Sequence, residues 1–128
     1  MEHSILIILL ALLQYLFFVV KVGSTRGKYN VNAPNTTGNE VWERYYRVQQ
    51  NTMEQLVIFI PGLITFTIYI NELWALLPGI MFLVGRQLYF LTYTRDPKTR
   101  APGMVITILS NAILVVGSIV GLVMNYIG

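Results

Sequence analysis

Met104 to Ile127 is a run of 24 residues without one charged side chain. At ~1.5 Å of rise per residue a helix of that length crosses the ~30 Å hydrocarbon core of a bilayer with some tilt. Ser4 to Val22, Leu56 to Ile70 and Leu73 to Thr94 are further mostly apolar blocks, the first carrying Lys21 near its end and the third Arg86, separated by polar connections. Charged residues make up 12% of the chain and hydrophobic ones 55%, where a soluble domain carries about 25% charge. The expectation is an all-α membrane protein: one four-transmembrane-helix bundle over residues 1–128, with helices near 4–24, 39–70, 72–95 and 102–127.

The first block is followed by positive charge at Lys21, Arg26 and Lys28 and preceded only by Glu2 and His3. A cleaved signal would have its positive charge first, so a retained span is expected. His3, the sole histidine, reads as a solvated terminal residue. Gly23 to Asn39 is a polar connection, and Asn39 is a natural N-cap for the second helix. Pro61-Gly62 predicts a kink or local unwinding in that helix, and Pro78 a bend in the third. Asn71-Glu72 leaves room only for a tight turn, so the second and third helices form an antiparallel hairpin. Gly117 and Gly121 have a helix-packing spacing, and Trp42 and Trp74 read as anchors in the interfacial belts.

Four spans put both termini on one side and both long connections on the other. The connections hold Arg26, Lys28, Arg95, Lys98 and Arg100, while the opposite side has Glu2 and Glu72 and no Lys or Arg. By the positive-inside rule the basic loops face the cytoplasm and the termini lie across the membrane. The net charge of +3 serves that topology, and no nucleic-acid partner is expected. Without cysteine there is no disulfide, thiolate metal site or cysteine nucleophile, and no metal is expected.

The second helix begins with a polar segment, Glu43 to Glu54, that enters its apolar part without a turn signal. At about 100° per residue, Glu43, Arg44, Arg47, Gln50, Asn51 and Glu54 fall within an arc of about 120°. Charge cannot face hydrocarbon cheaply, so this stripe faces other helices, a cavity or headgroups. On the third helix Arg86, Tyr89 and Tyr93 lie within about 60° of each other. Arg26, Arg47, Arg86 and Arg100 brought together call for an anion, because arginine pairs bidentately with carboxylates and phosphates. Glu54 suits an ammonium, and Asn51 can both donate and accept, as a peptide group requires. Glutathione satisfies that set. A phospholipid headgroup satisfies part of it, and an internal network such as Glu43 with Arg47 would use the charges without any ligand. Tyr45, Tyr46, Tyr89 and Tyr93 have belt aromatics as their bland reading.

Glu43-Arg44-x-x-Arg47-x-Gln49-x-Asn51-x-x-Glu54 ahead of a span resembles the signature of the MAPEG family, the membrane-associated proteins in eicosanoid and glutathione metabolism. Val31-x-x-Pro34-x-x-Thr37-Gly38 resembles the loop before it. Arg86-x-x-Tyr89-Phe90-x-x-Tyr93 and Arg100-Ala101-Pro102 match the third helix and the connection after it. The pattern is nearest to the microsomal glutathione transferases and the leukotriene-C synthase branch. The resemblance implies a homotrimer with glutathione as co-substrate between neighbouring subunits, and a hydrophobic second substrate arriving from the lipid phase. It implies glutathione contacts from Arg26, Arg47, Gln49, Asn51, Glu54, Tyr89, Tyr93 and Arg100. Gln49 lies roughly 100° off the nearest edge of the helical stripe and so would serve a neighbour's ligand. Arg100 matches the arginine held to lower the thiol pKa and is the catalytic residue this implies.

Two positions depart from the synthase branch, which has tyrosine after the motif glutamate and paired arginines at the first helix end. Here they are Gln55 and Arg26-Gly27. The expected activity is therefore detoxifying glutathione conjugation of lipid electrophiles, or peroxide reduction, in place of leukotriene synthesis. The alternative is a non-catalytic lipid-binding scaffold of the same family, which has no need of a full glutathione site. A small multidrug-type transporter would place an acid near mid-span, whereas Glu54 sits near a helix entrance.

Overall fold

The computed structural model describes all residues from 1 to 128 and contains helices but no strand. α1 spans Glu2–Ser24, α2 is one turn at Arg26–Tyr29, α3 spans Glu40–Tyr69, α4 spans Glu72–Tyr93 and α5 spans Ala101–Ile127. A 3-10 turn at Pro97–Thr99 leads into α5. Four helices (α1, α3, α4 and α5) are long and apolar enough to cross a membrane. Their outward faces carry Leu13, Val20, Val57, Leu73 and Val116, all exposed. A hydrocarbon surrounding makes such a surface stable.

Local sequence sets the helix ends. Asn39 takes extended backbone geometry and its Oδ1 accepts from the N–H of Val41 at 2.9 Å and of Trp42 at 3.0 Å. Asn71 does the same for Leu73 at 2.7 Å, which fits the tight turn between α3 and α4. Pro102 falls in the first turn of α5, where its missing N–H costs nothing; that is why the helix starts at Ala101. α3 stays helical through Pro61, so the expected unwinding is not found there. The one-turn α2 inside the first connection has no periodicity to announce it. At the other end of the bundle the Met1 amino group pairs with Glu72. His3 is exposed but not free: its N–H donates to Glu72 Oε1 at 2.6 Å and its Nδ1 lies 3.0 Å from the same oxygen.

α3 and α4 form the middle of the bundle, each packed on both α1 and α5. Phe59 of α3 and Phe82 of α4 stack with ring centroids 3.9 Å apart, enclosed by Ile7, Ala11, Leu63 and Leu114. Towards the basic connections Phe18, Val48, Tyr89, Phe90 and Tyr93 form a second core. Trp42 anchors a third with Val22 and Val31. It is fully buried, donates from Nε1 to Val22 O at 3.1 Å and stacks on Tyr46. The belt reading of Trp42 is therefore corrected, because the returning connection covers it. Trp74 is 67% exposed, as a belt residue is.

Small residues set how closely the helices approach. A Cβ on Gly103 would lie 2.5 Å from Tyr89 N, and one on Gly121 2.8 Å from Tyr69 O. The Gly117 and Gly121 pair thus packs α5 on α3 within the chain.

Candidate functional site

Arg47, Asn51 and Glu54 recur along α3 at one-turn and near-one-turn intervals, which puts them on one face. α4 places Tyr89 and Tyr93 opposite them, stacked with centroids 5.1 Å apart. Arg100, between the 3-10 turn and α5, closes the third side. With Tyr46 and Gln50 these side chains line a cavity of about 260 Å³. A second polar cavity of about 410 Å³, lined by Glu40, Glu43, Arg44, Arg47, Tyr93 and Pro97, meets it at Arg47 and Tyr93.

The charges around this surface are not spent on one another. The one ion pair between fixed charges in the chain is that of Glu72 with the Met1 amino group, beside which His3 Nδ1 also contacts Glu72, at the far end of the bundle. The internal pairing of Glu43 with Arg47 is therefore not formed. Arg47, Glu54 and Arg100 are exposed to the cavity. Arg44 is half-buried and its Nη1 lies 3.4 Å from the carbonyls of Thr94 and Arg95, where it caps the C-terminal end of α4. Tyr89 and Tyr93 are buried, 5% and 4% exposed. They are walls of the site, and the belt reading is dropped for both.

Arg86 does not join the other arginines in the cavity. It is fully buried behind Tyr89, whose ring centre is 4.7 Å from its guanidinium carbon. Its Nη1 donates to Asn51 Oδ1 at 2.6 Å and to Thr52 Oγ1 at 3.3 Å, its Nε to Thr107 Oγ1 at 3.1 Å, and its Nη2 to Met104 Sδ at 3.1 Å. Asn51 lines the cavity, but its oxygen is already taken.

Arg26 and Gln49 are not brought to the cavity of their own chain. Arg26 donates to Asn35 O at 2.7 Å, approaches Val31 O at 3.4 Å, and sits over the Trp42 ring at 4.5 Å. Gln49 is half-buried on another face of α3. Tyr46 is the lining residue that the sequence reading assigned elsewhere. Its place one turn before Gln50 was the available signal. No three His, Cys, Asp or Glu side chains converge to hold a metal.

Farther along the bundle α3 and α5 leave an apolar groove of about 410 Å³, lined by Val57, Ile58, Pro61, Val115, Ile119 and neighbours, with a hydroxyl pair of Thr65 and Ser118 at 2.8 Å. The polar cavity and this groove share α3, one at its polar start and one along its apolar half.

Residues 4–120 match the MAPEG family. The chain is 45% identical over 117 residues to an uncharacterized protein of Synechocystis sp., covering 91% of this chain and 85% of that one. It is 33% identical over 128 residues to human microsomal glutathione S-transferase 2, covering 98% and 87%. With bovine leukotriene C4 synthase it shares 31% identity over 119 residues, covering 93% and 79%. A family match over nearly the whole chain, a four-span helical fold and a full-length relative above 30% identity agree: the chain is an integral membrane protein and belongs to the MAPEG family.

Proposed function

We propose that the protein is a membrane glutathione transferase that activates glutathione as its thiolate for attack on hydrophobic electrophiles, with peroxide reduction as a second use of the same thiolate. The observation that carries this reading is the convergence of Arg47, Asn51, Glu54, Tyr93 and Arg100 on one cavity without an ion pair among them. Glutathione supplies what each lacks. A carboxylate pairs with Arg47, the ammonium with Glu54, and peptide and carboxylate oxygens take donors from Asn51 and from the tyrosine hydroxyls. Relatives named microsomal glutathione S-transferase and leukotriene C4 synthase support the same class.

Arg100 carries the chemistry in this account. A thiol of pKa about 8.5 is mostly protonated at neutral pH, and an adjacent guanidinium favours the thiolate. The thiol proton passes to solvent and a sulfur lone pair forms the new bond to the electrophilic carbon. The electrons of the breaking bond leave with the displaced group. With a hydroperoxide the thiolate sulfur bonds to the terminal oxygen as the O–O bond breaks, leaving a sulfenic acid and an alkoxide that takes a proton from solvent to become the alcohol. A second glutathione converts the sulfenic acid to disulfide and water. The second substrate enters from the lipid, and the exposed apolar faces of the spanning helices and the groove farther along α3 support that route.

A homotrimer belongs to the proposal. Arg26 and Gln49 stand away from the cavity of their own chain, so they reach a glutathione only in the site of a neighbouring copy. The basic connections, and with them the site, are assigned to the cytoplasmic side by their arginines and lysines. Calorimetric titration of the detergent-purified protein with glutathione, followed by a conjugation assay with a lipid-soluble aryl halide, tests the reading. Saturable binding and a thioether product are expected. Binding of fatty acid with no binding of glutathione would replace it with the lipid-binding scaffold.

A further inference from the structure

Arg86 is a cation with no exposed surface and no acid among its contacts. Burying a guanidinium without a counter-charge is expensive and is tolerated where its N–H groups find acceptors, as four of the five do here. The acceptors here are oriented in turn. Thr107 donates its own hydroxyl hydrogen to Gly103 O at 2.9 Å, which leaves its lone pairs for Arg86 Nε. Asn51 has one group that can accept, its Oδ1, at 2.6 Å from Nη1. The reverse orientation of that amide would set N–H against N–H.

Asn51 also lines the polar cavity. With its oxygen held by Arg86, the amide nitrogen is what remains. Nδ2 has no acceptor within the chain and is not among the buried atoms left unpaired, which are Gln14 Oε1 and Asn111 Oδ1. We infer that Arg86 is a positioning residue: it fixes the Asn51 carboxamide so that the site presents an N–H donor at this point and never an acceptor. Asn51 then recognises an acceptor oxygen of the ligand, a peptide carbonyl or a carboxylate. It does not pair with a ligand N–H, contrary to the two-way role that an isolated asparagine allows. This deepens the glutathione reading and rests on it.

The test is Asn51→Asp in the full-length protein in detergent, compared with wild type by thermal unfolding and by calorimetric titration with glutathione. The substitution keeps shape and gives Arg86 a carboxylate, so the melting temperature holds or rises. It also turns the cavity-facing donor into an acceptor. Glutathione affinity is then expected to fall about tenfold or more, because acceptor meets acceptor. Wild-type affinity in Asn51→Asp would overturn the inference while leaving the glutathione reading intact. Wild-type protein that binds no glutathione would overturn both.

A second pair of variants reads Arg86 itself and decides the matter if Asn51→Asp does not fold. Arg86→Lys keeps a donor for Asn51 Oδ1 and is expected to retain most of the affinity, whereas Arg86→Met frees the amide to turn and loses it. Equal affinity in the two variants would show that the charge behind Asn51 does not set its orientation and would overturn the proposal. So would folded Arg86→Met protein that binds like wild type.

Discussion

Gly103 of α5 lies against the backbone of Tyr89 in α4, so close that a Cβ on Gly103 would stand 2.5 Å from Tyr89 N and 2.8 Å from Gly85 O. That approach brings Thr107 and Met104 onto Arg86 and sets Arg100 at the cavity. Backbone cannot yield as a side chain does. Gly103→Ala is expected to cost at least about 1–3 kcal/mol by overpacking and to weaken glutathione binding with it. Gly27→Ala is the control, since a Cβ there meets nothing within 4 Å, and a helical Gly→Ala change of that kind gains about 0.5–1 kcal/mol. Unfolding in mixed detergent micelles reads both. Equal stability of the two variants would contradict the close crossing.

The two tryptophans separate in the same physical sense. Trp42 is enclosed, with its indole N–H on Val22 O, and Trp74 stands out from the bundle. In bilayers containing brominated lipid, Trp42→Phe protein, which retains Trp74, is expected to be strongly quenched, and Trp74→Phe protein weakly. Trp42→Phe also removes that donor from Val22 O, which keeps the Thr25 hydroxyl at 3.3 Å, and costs about 0.5–1.5 kcal/mol for the lost hydrogen bond. Equal quenching of both variants would place Trp42 at the lipid boundary after all.

Much of this was legible in the sequence, and the part that was not has a common cause. Spans follow from apolar run length, and the caps follow from Asn39 and Asn71 standing at the starts of periodic segments. The face shared by Arg47, Asn51 and Glu54 follows from helical spacing. What a single helix cannot report is which of its faces a distant segment covers. Arg86, Tyr89 and Tyr93 share a face on the wheel, yet the α5 residues Met104 and Thr107 close over Arg86 and leave the tyrosines as the walls. Trp42 reads as interfacial until the turn at Arg26–Tyr29 and Val31 fold over it. Arg26 likewise reads as a free cation until the carbonyls of Val31 and Asn35 come within reach.

Within the cavity, Arg47→Ala and Glu54→Ala each remove one charged partner. Both side chains are exposed to the cavity, so the loss is that of a charge-assisted hydrogen bond, about 1.5–3 kcal/mol or roughly tenfold to a hundredfold in affinity. Arg44→Ala is the contrast: Arg44 reaches the Thr94 and Arg95 carbonyls and is expected to affect stability more than affinity. Titration calorimetry with glutathione on the three variants checks the order. Wild-type affinity in both Arg47→Ala and Glu54→Ala would make the stripe structural.

The central claim is that the site makes a thiolate, and ultraviolet difference absorbance reads that species directly. Detergent-purified protein is titrated with glutathione near neutral pH, beside Arg100→Ala at the same concentration, and binding is followed in parallel by calorimetry. The account predicts a saturable thiolate band in the wild type and binding without the band in Arg100→Ala. A wild-type protein that binds glutathione and shows no thiolate, or an Arg100→Ala protein whose band is undiminished, would contradict it.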